Sequence, residues 1–207
     1  MPHRISIAAA VALALAAGCA TASSRHAAAE PTLAQTITAQ LAKEDGLPWS
    51  DKRPLTWADF KGPAPSGSGV VAAETAYTII HGFRCIGSKF DYRVVAAFRP
   101  RDSWVRPALL RTPADSARAL RHEQTHFDVS EVHARRLRRY LAEVMAPCHI
   151  PTGDLSSMAS RIERDEKAAQ ELYDRETDHG RAPTVQARWD KDIDSQLLAL
   201  GKFARQP

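Results

Sequence analysis

From Ala114 to Ala146 the chain runs without a glycine or a proline, and no other feature limits its fold as much. Thr112-Pro113-Ala114-Asp115 is a strong helix start: a hydroxyl to cap free amides, proline at the first helical position, and an acid in the first turn. The stretch permits one helix of about thirty-three residues, long for a globular protein. Two more helices are expected after it. One starts near Asp154 or Ser156 and runs to Gly180, a helix-stop residue. The other spans about Thr184 to Leu200, with Val185, Trp189, Ile193 and Leu197 four apart on one face.

Ahead of the helices the pattern is that of strands. Val70 to Ile80 carries β-branched residues and Tyr77, and Phe90 to Phe98 places Tyr92, Val94 and Ala96 on one parity. Gly87-Ser88 suits the turn between them, and Lys61 to Gly69 is a loop by its Gly, Pro and Ser content. These signals predict an antiparallel sheet of two to four strands and no strand after Arg101. The expected fold class is α+β: a small antiparallel sheet followed by three helices, with a zincin-like metal site on the long helix. The folded domain is read as residues 49–205.

Residues 1–18, MPHRISIAAAVALALAAG, have one arginine and then an apolar run too short to span a bilayer, the layout of a secretory signal. The run ends in Gly18-Cys19, and the lipoprotein type of signal is favoured, with Cys19 as the lipidated residue. Cleavage after Ala22 or Ala29 is the competing reading. Residues 19–48 read as a tether with an amphipathic stretch around Leu33, Ile37 and Leu41. The expected location is the cell envelope or periplasm, with a lipid anchor to the membrane. In such an oxidising compartment Cys85 and Cys148 are expected to pair.

Composition narrows the function. A hydrophobic share of 44% is ordinary, which excludes wholesale disorder and a polytopic membrane protein. Three cysteines cannot supply two CxxC pairs. The net charge of +4 comes largely from Arg135, Arg136, Arg138 and Arg139, less than sequence-specific nucleic-acid binders gather on one face. That run reads as a solvated helix face, and no nucleic-acid partner is expected.

Within the long helix stands His122-Glu123-Gln124-Thr125-His126, the HExxH signature of zinc peptidases. Positions four apart lie one turn apart on one face, so two imidazoles can bind one ion. Glu123 sits about 100° further round, at the edge of that face, where it can take the proton of a water without ligating the metal. The motif alone is not unique. Its helix, though, has a clear start, and the stripe His122, His126, Val129, His133, Tyr140 and Val144 is partly apolar, which turns the histidines inward.

A catalytic zinc needs a third protein ligand. No glycine follows His126 closely enough to turn the chain back, so the ligand is expected from the next helix. His179 is favoured, with Glu176 and Asp174 as alternatives. Asp174 is also a candidate for orienting an imidazole, and Tyr173 for stabilising an oxyanion. Glu131 should face away from the ion, and His133 lies about 10 Å further along the axis, where it could line the site, although a core or boundary histidine is the favoured reading.

In these motifs the chain resembles bacterial predicted secreted zinc-dependent proteases, a domain of unknown function. The similarity lies in Leu55-Thr56-Trp57-Ala58-Asp59-Phe60-Lys61-Gly62, in His122 to Asp128 with Glu131 and Ala134-Arg135, and in Tyr173-Asp174-x-x-Thr177-x-His179-Gly180 with Gln186 and Trp189. It implies an extracytoplasmic metallopeptidase but nothing about the substrate. The expected function is a cell-envelope zinc metalloendopeptidase with one ion per chain, Glu123 as general base, and a peptide or protein substrate. The rival is a non-catalytic envelope lipoprotein module with a structural or vestigial metal site.

Overall fold

The computed structural model describes residues 30–66 and 71–204. The signal segment, Cys19 and Val70 lie outside the described residues. The first element is α1, Leu33–Glu44, opened by a capping box in which Thr32 and Gln35 bond reciprocally. Its Ile37 is buried with Ile80 and Ala97. Within the segment read as tether, Leu33–Glu44 therefore packs on the sheet.

The sheet is built on one hairpin. β1 is Leu47–Pro48, β2 Ala73–Glu74, β3 Tyr77–Ile86, β4 Lys89–Phe98 and β5 Trp104–Val105. β3 and β4 pair antiparallel from Tyr77↔Phe98 to Ile86↔Lys89. Gly87, at φ 61°, opens the two-residue turn between them, a conformation that suits glycine. β1 adds to the other side of β4, giving the order β1-β4-β3. β2 pairs with β5 in a separate two-stranded ladder. β5 is a strand after Arg101, where none was expected.

Three long helices follow: α2, Pro113–Glu143; α3, Thr152–Thr177; and α4, Pro183–Ala199. α2 ends before Pro147 because Val144 turns extended and Ala146 left-handed, as the ring of a following proline disfavours a right-handed helix. One face of α2 packs Phe127, Ala134, Leu137 and Leu141 against Val94, Ala96 and Phe98 of β4 and Leu155, Ala159 and Ile162 of α3. Another packs Val129 and Val132 against Ile193 of α4 and the adjacent Leu200.

The arginine run is not a solvated face. Arg135 and Arg138 are buried, and both donate to the buried Glu131 carboxylate. The Arg135 guanidinium also lies over the Trp49 ring, 5.0 Å from its centre. Cys85 and Cys148 form a disulfide joining the end of β3 to the turn after α2. Among the described residues no helix is long and apolar enough to cross a membrane.

Candidate metal centre

α2 carries His122 and His126 one turn apart, 5% and 8% exposed. Asp174, on α3, meets both. Its Oδ1 lies 3.1 Å from His122 Nε2 and 3.0 Å from His126 Nε2, and the two Nε2 atoms are 3.2 Å apart. Tetrahedral zinc with bonds of about 2 Å sets its ligand atoms about 3.3 Å apart. The triangle therefore fits an ion of that size with only a slight spreading. Among the described residues these three form a group of side chains able to hold a metal ion.

Each imidazole offers its other nitrogen to a glutamine. His126 Nδ1 lies 2.6 Å from Gln170 Oε1, and His122 Nδ1 lies 3.0 Å from Gln186 Oε1. The orientation of both amides is fixed by what their far ends touch. Gln170 Nε2 donates to the His126 carbonyl at 2.9 Å and to Glu166 at 3.0 Å. Gln186 Nε2 donates to Asp190 at 2.7 Å, while the Tyr173 hydroxyl donates to Gln186 Oε1 at 2.8 Å. The amide oxygens must then face the rings, which assigns the ring protons to Nδ1.

That assignment leaves two Nε2 lone pairs and a carboxylate oxygen in contact. Three such atoms repel one another unless a cation, a proton or a metal ion, lies among them. Burial alone would raise the Asp174 carboxyl, but hydrogen bonds and charge from His122 and His126 hold it well below the usual carboxylate range. Burial likewise opposes charge on His126, yet Asp174 and Glu123 together raise its pKa.

The triangle opens on a cleft of about 680 Å³ lined by the β2 strand, Thr75, Tyr77, Arg118, Lys167 and His179. Glu123 is on its wall, 4% exposed, and its Oε2 has no hydrogen-bond partner among the described residues. A buried carboxylate oxygen without a partner calls for an explanation in function. The Glu123 backbone is held from the opposite wall, where Thr75 Oγ1 donates to its carbonyl at 3.3 Å.

The third side chain of the cluster is thus Asp174, in place of the favoured His179. α3 stops at Thr177, because Asp178 and His179 both take left-handed conformations, φ 50° and 51°. His179 consequently sits past the helix and not in its last turn. Its Nδ1 is 3.4 Å from Asp174 Oδ1, and nearly half of the side chain is exposed at the cleft rim. Gly180 follows at φ 77°, and a Cβ there would lie 3.0 Å from His122 Cβ and Cγ. Only glycine lets this turn close on His122.

Three other candidates leave the site. Glu176 points away, accepting from Trp189 Nε1 at 2.8 Å and Arg188 at 2.9 Å. Tyr173 is fully buried, its ring 4.7 Å from that of His122, and its hydroxyl is engaged by Gln186. It backs the histidines and does not reach the cleft. His133 bonds the Val129 carbonyl at 2.9 Å and Arg136 at 3.0 Å, two turns from His126. Glu131 turns to Arg135 and Arg138 and away from the two histidines, as expected. Gln170 and Asp190 were not singled out by the sequence; the i, i+4 pairs Gln170/Asp174 and Gln186/Asp190 were the available signal.

Comparison with known proteins adds one finding. A family model described as a bacterial protein of unknown function, DUF922, matches residues 58–180. No curated protein and no solved structure matches. The matched stretch holds His122, Glu123, His126, Gln170, Asp174 and His179, and it stops before α4 with Gln186 and Asp190. Since it covers more than half of the 207 residues, the chain belongs to the DUF922 family of bacterial proteins of unknown function.

Proposed function

We propose that the protein is a zinc-dependent metalloendopeptidase of the bacterial cell envelope, exported by its N-terminal segment and anchored through a lipid on Cys19. One observation carries the reading. Two Nε2 atoms and a carboxylate oxygen converge beside a cleft whose wall carries a buried carboxylate oxygen without a partner, Glu123 Oε2.

His122, His126 and Asp174 would hold the ion. Bound zinc supplies Lewis acidity, lowering the pKa of water to near 7 and polarising a carbonyl. Glu123 takes the proton of the attacking water and passes it to the leaving amine. Water adds to the carbonyl carbon, the C–N bond breaks, and acid and amine leave, so the step needs no further reactant. His179, exposed at the rim, donates a hydrogen bond to the carbonyl oxygen as charge develops there.

The test separates metal from chemistry. The zinc-loaded full chain should cleave an unfolded protein substrate, and Glu123→Gln should keep about one zinc per chain while losing at least about a hundredfold in turnover. A variant that keeps wild-type turnover would refute the general base. Full zinc with no hydrolysis by the wild-type protein would favour the rival, a structural site in an envelope module. Labelled fatty acid failing to enter at Cys19 in the native host would remove the anchor.

A further inference from the structure

Both histidines are held by the same device, built twice. On α3, Glu166 and Gln170 are four apart, and Glu166 Oε1 accepts from Gln170 Nε2 at 3.0 Å while Gln170 Oε1 faces His126 Nδ1 at 2.6 Å. On α4, Asp190 and Gln186 are four apart, and Asp190 Oδ1 accepts from Gln186 Nε2 at 2.7 Å while Gln186 Oε1 faces His122 Nδ1 at 3.0 Å. Each chain runs carboxylate, amide, imidazole. The four outer side chains are buried or nearly so. Asp190 is tied again, accepting from Thr125 at 2.8 Å and from Arg121 at 2.9 Å.

We infer that Gln170 and Gln186, aimed by Glu166 and Asp190, are positioning residues that fix both imidazoles with Nε2 bare and turned to the ion. The inference rests on the metal reading of the site. An amide can face a ring with either end, and an inverted amide would offer N–H to Nδ1 and drive the ring proton to Nε2, where the metal must bind. The outer carboxylate, when ionised, prevents the inversion, because it then accepts only from the amide N–H. The amide, unlike a carboxylate in its place, fixes the tautomer without adding negative charge beside the ligand. Two helices contribute the two relays, so the site depends on α4, although α4 supplies no ligand.

The experiment is cobalt(II) binding to the full metal-free chain, measured against a competing chelator. Gln186→Met should weaken cobalt ten- to a hundredfold, the usual range for loss of a ligand's outer partner. The exchanged pair Gln186→Glu with Asp190→Asn keeps an acceptor facing His122 and a donor behind it. It should bind cobalt within about threefold of wild type, a rescue that restored packing alone would not give. In the zinc-loaded wild-type chain, nitrogen NMR should place the proton of both rings on Nδ1.

Unchanged affinity in folded Gln186→Met, failure of the exchanged pair to recover it, or a proton on Nε2 of either ring would overturn the inference. If Gln186→Met does not fold, Gln170→Met and the wild-type NMR decide it. None of these measurements needs hydrolysis, so absence of proteolysis would leave the relays standing. A wild-type chain that binds no cobalt would remove the metal reading together with the relays.

Discussion

Asp174 and His179 divide between them what the sequence offered to one residue. Asp174 touches both imidazoles, whereas His179 reaches Asp174 at 3.4 Å and stands half-exposed at the rim. Asp174→Ala should therefore strip zinc under chelator competition by at least about a hundredfold, since two ligands hold a catalytic ion poorly. His179→Ala should retain the metal and lower turnover by about a hundredfold, the effect of losing one oxyanion donor. Zinc content beside kinetics checks both, and zinc loss in His179→Ala with full zinc in Asp174→Ala would reverse the roles. The pair His122/His126 was legible because i, i+4 spacing is a local property of any helix. The third member of the cluster was not, because it depends on where α3 stops. Gly180 marked the boundary in the sequence, yet Asp178 and His179 leave the helix first, in conformations that side chains other than glycine rarely adopt.

At the scale of elements, α2 serves as core, as site and as anchor for the remaining chain. Its buried Glu131 accepts from Arg135 at 2.8 Å and from Arg138 at 2.8 Å, while Arg138 also donates to the β4 carbonyl of Val94 at 2.9 Å. Removing the carboxylate would leave two buried guanidinium groups uncompensated. Glu131→Gln should destabilise the fold by about 3–5 kcal/mol, read as a lower urea midpoint at an unchanged slope. A shift below about 0.5 kcal/mol would mean that water reaches the pair. The arginine run looked like a solvated face because four charges in five positions are most often outside; which of them are buried depends on where β4 and α4 lie. The hairpin and the three long helices were legible from period and punctuation. β5 was not, since two residues, Trp104 and Val105, carry no period. α1 was read as part of a tether because its burial rests on one residue, Ile37, meeting a sheet that is distant in sequence.

For the molecule as a whole, the disulfide encloses nearly everything that carries the histidines. Cys85 and Cys148 stand 63 residues apart, and the loop between them contains β4, β5 and α2. Closing a loop of that length removes about 4 kcal/mol of chain entropy from the unfolded state. The groups that complete the site, Gln170, Asp174 and Gln186, lie outside the loop and reach the histidines through packed helices. The bridge is at the exposed end of the hairpin, Cys85 two residues before Gly87, and neither cysteine is among the residues lining the cleft. Stability and metal affinity should therefore separate. Cys85→Ser with Cys148→Ser should lose about 4 kcal/mol in urea unfolding, while the folded fraction binds zinc within about threefold of wild type. Equal midpoints with and without reductant would show that the bridge does not constrain the unfolded chain, and a hundredfold loss of zinc affinity in folded protein would show that it orients α2. A loss of that size would leave the chain less stable in a reducing compartment than in an oxidising one, which is what the proposed envelope location requires.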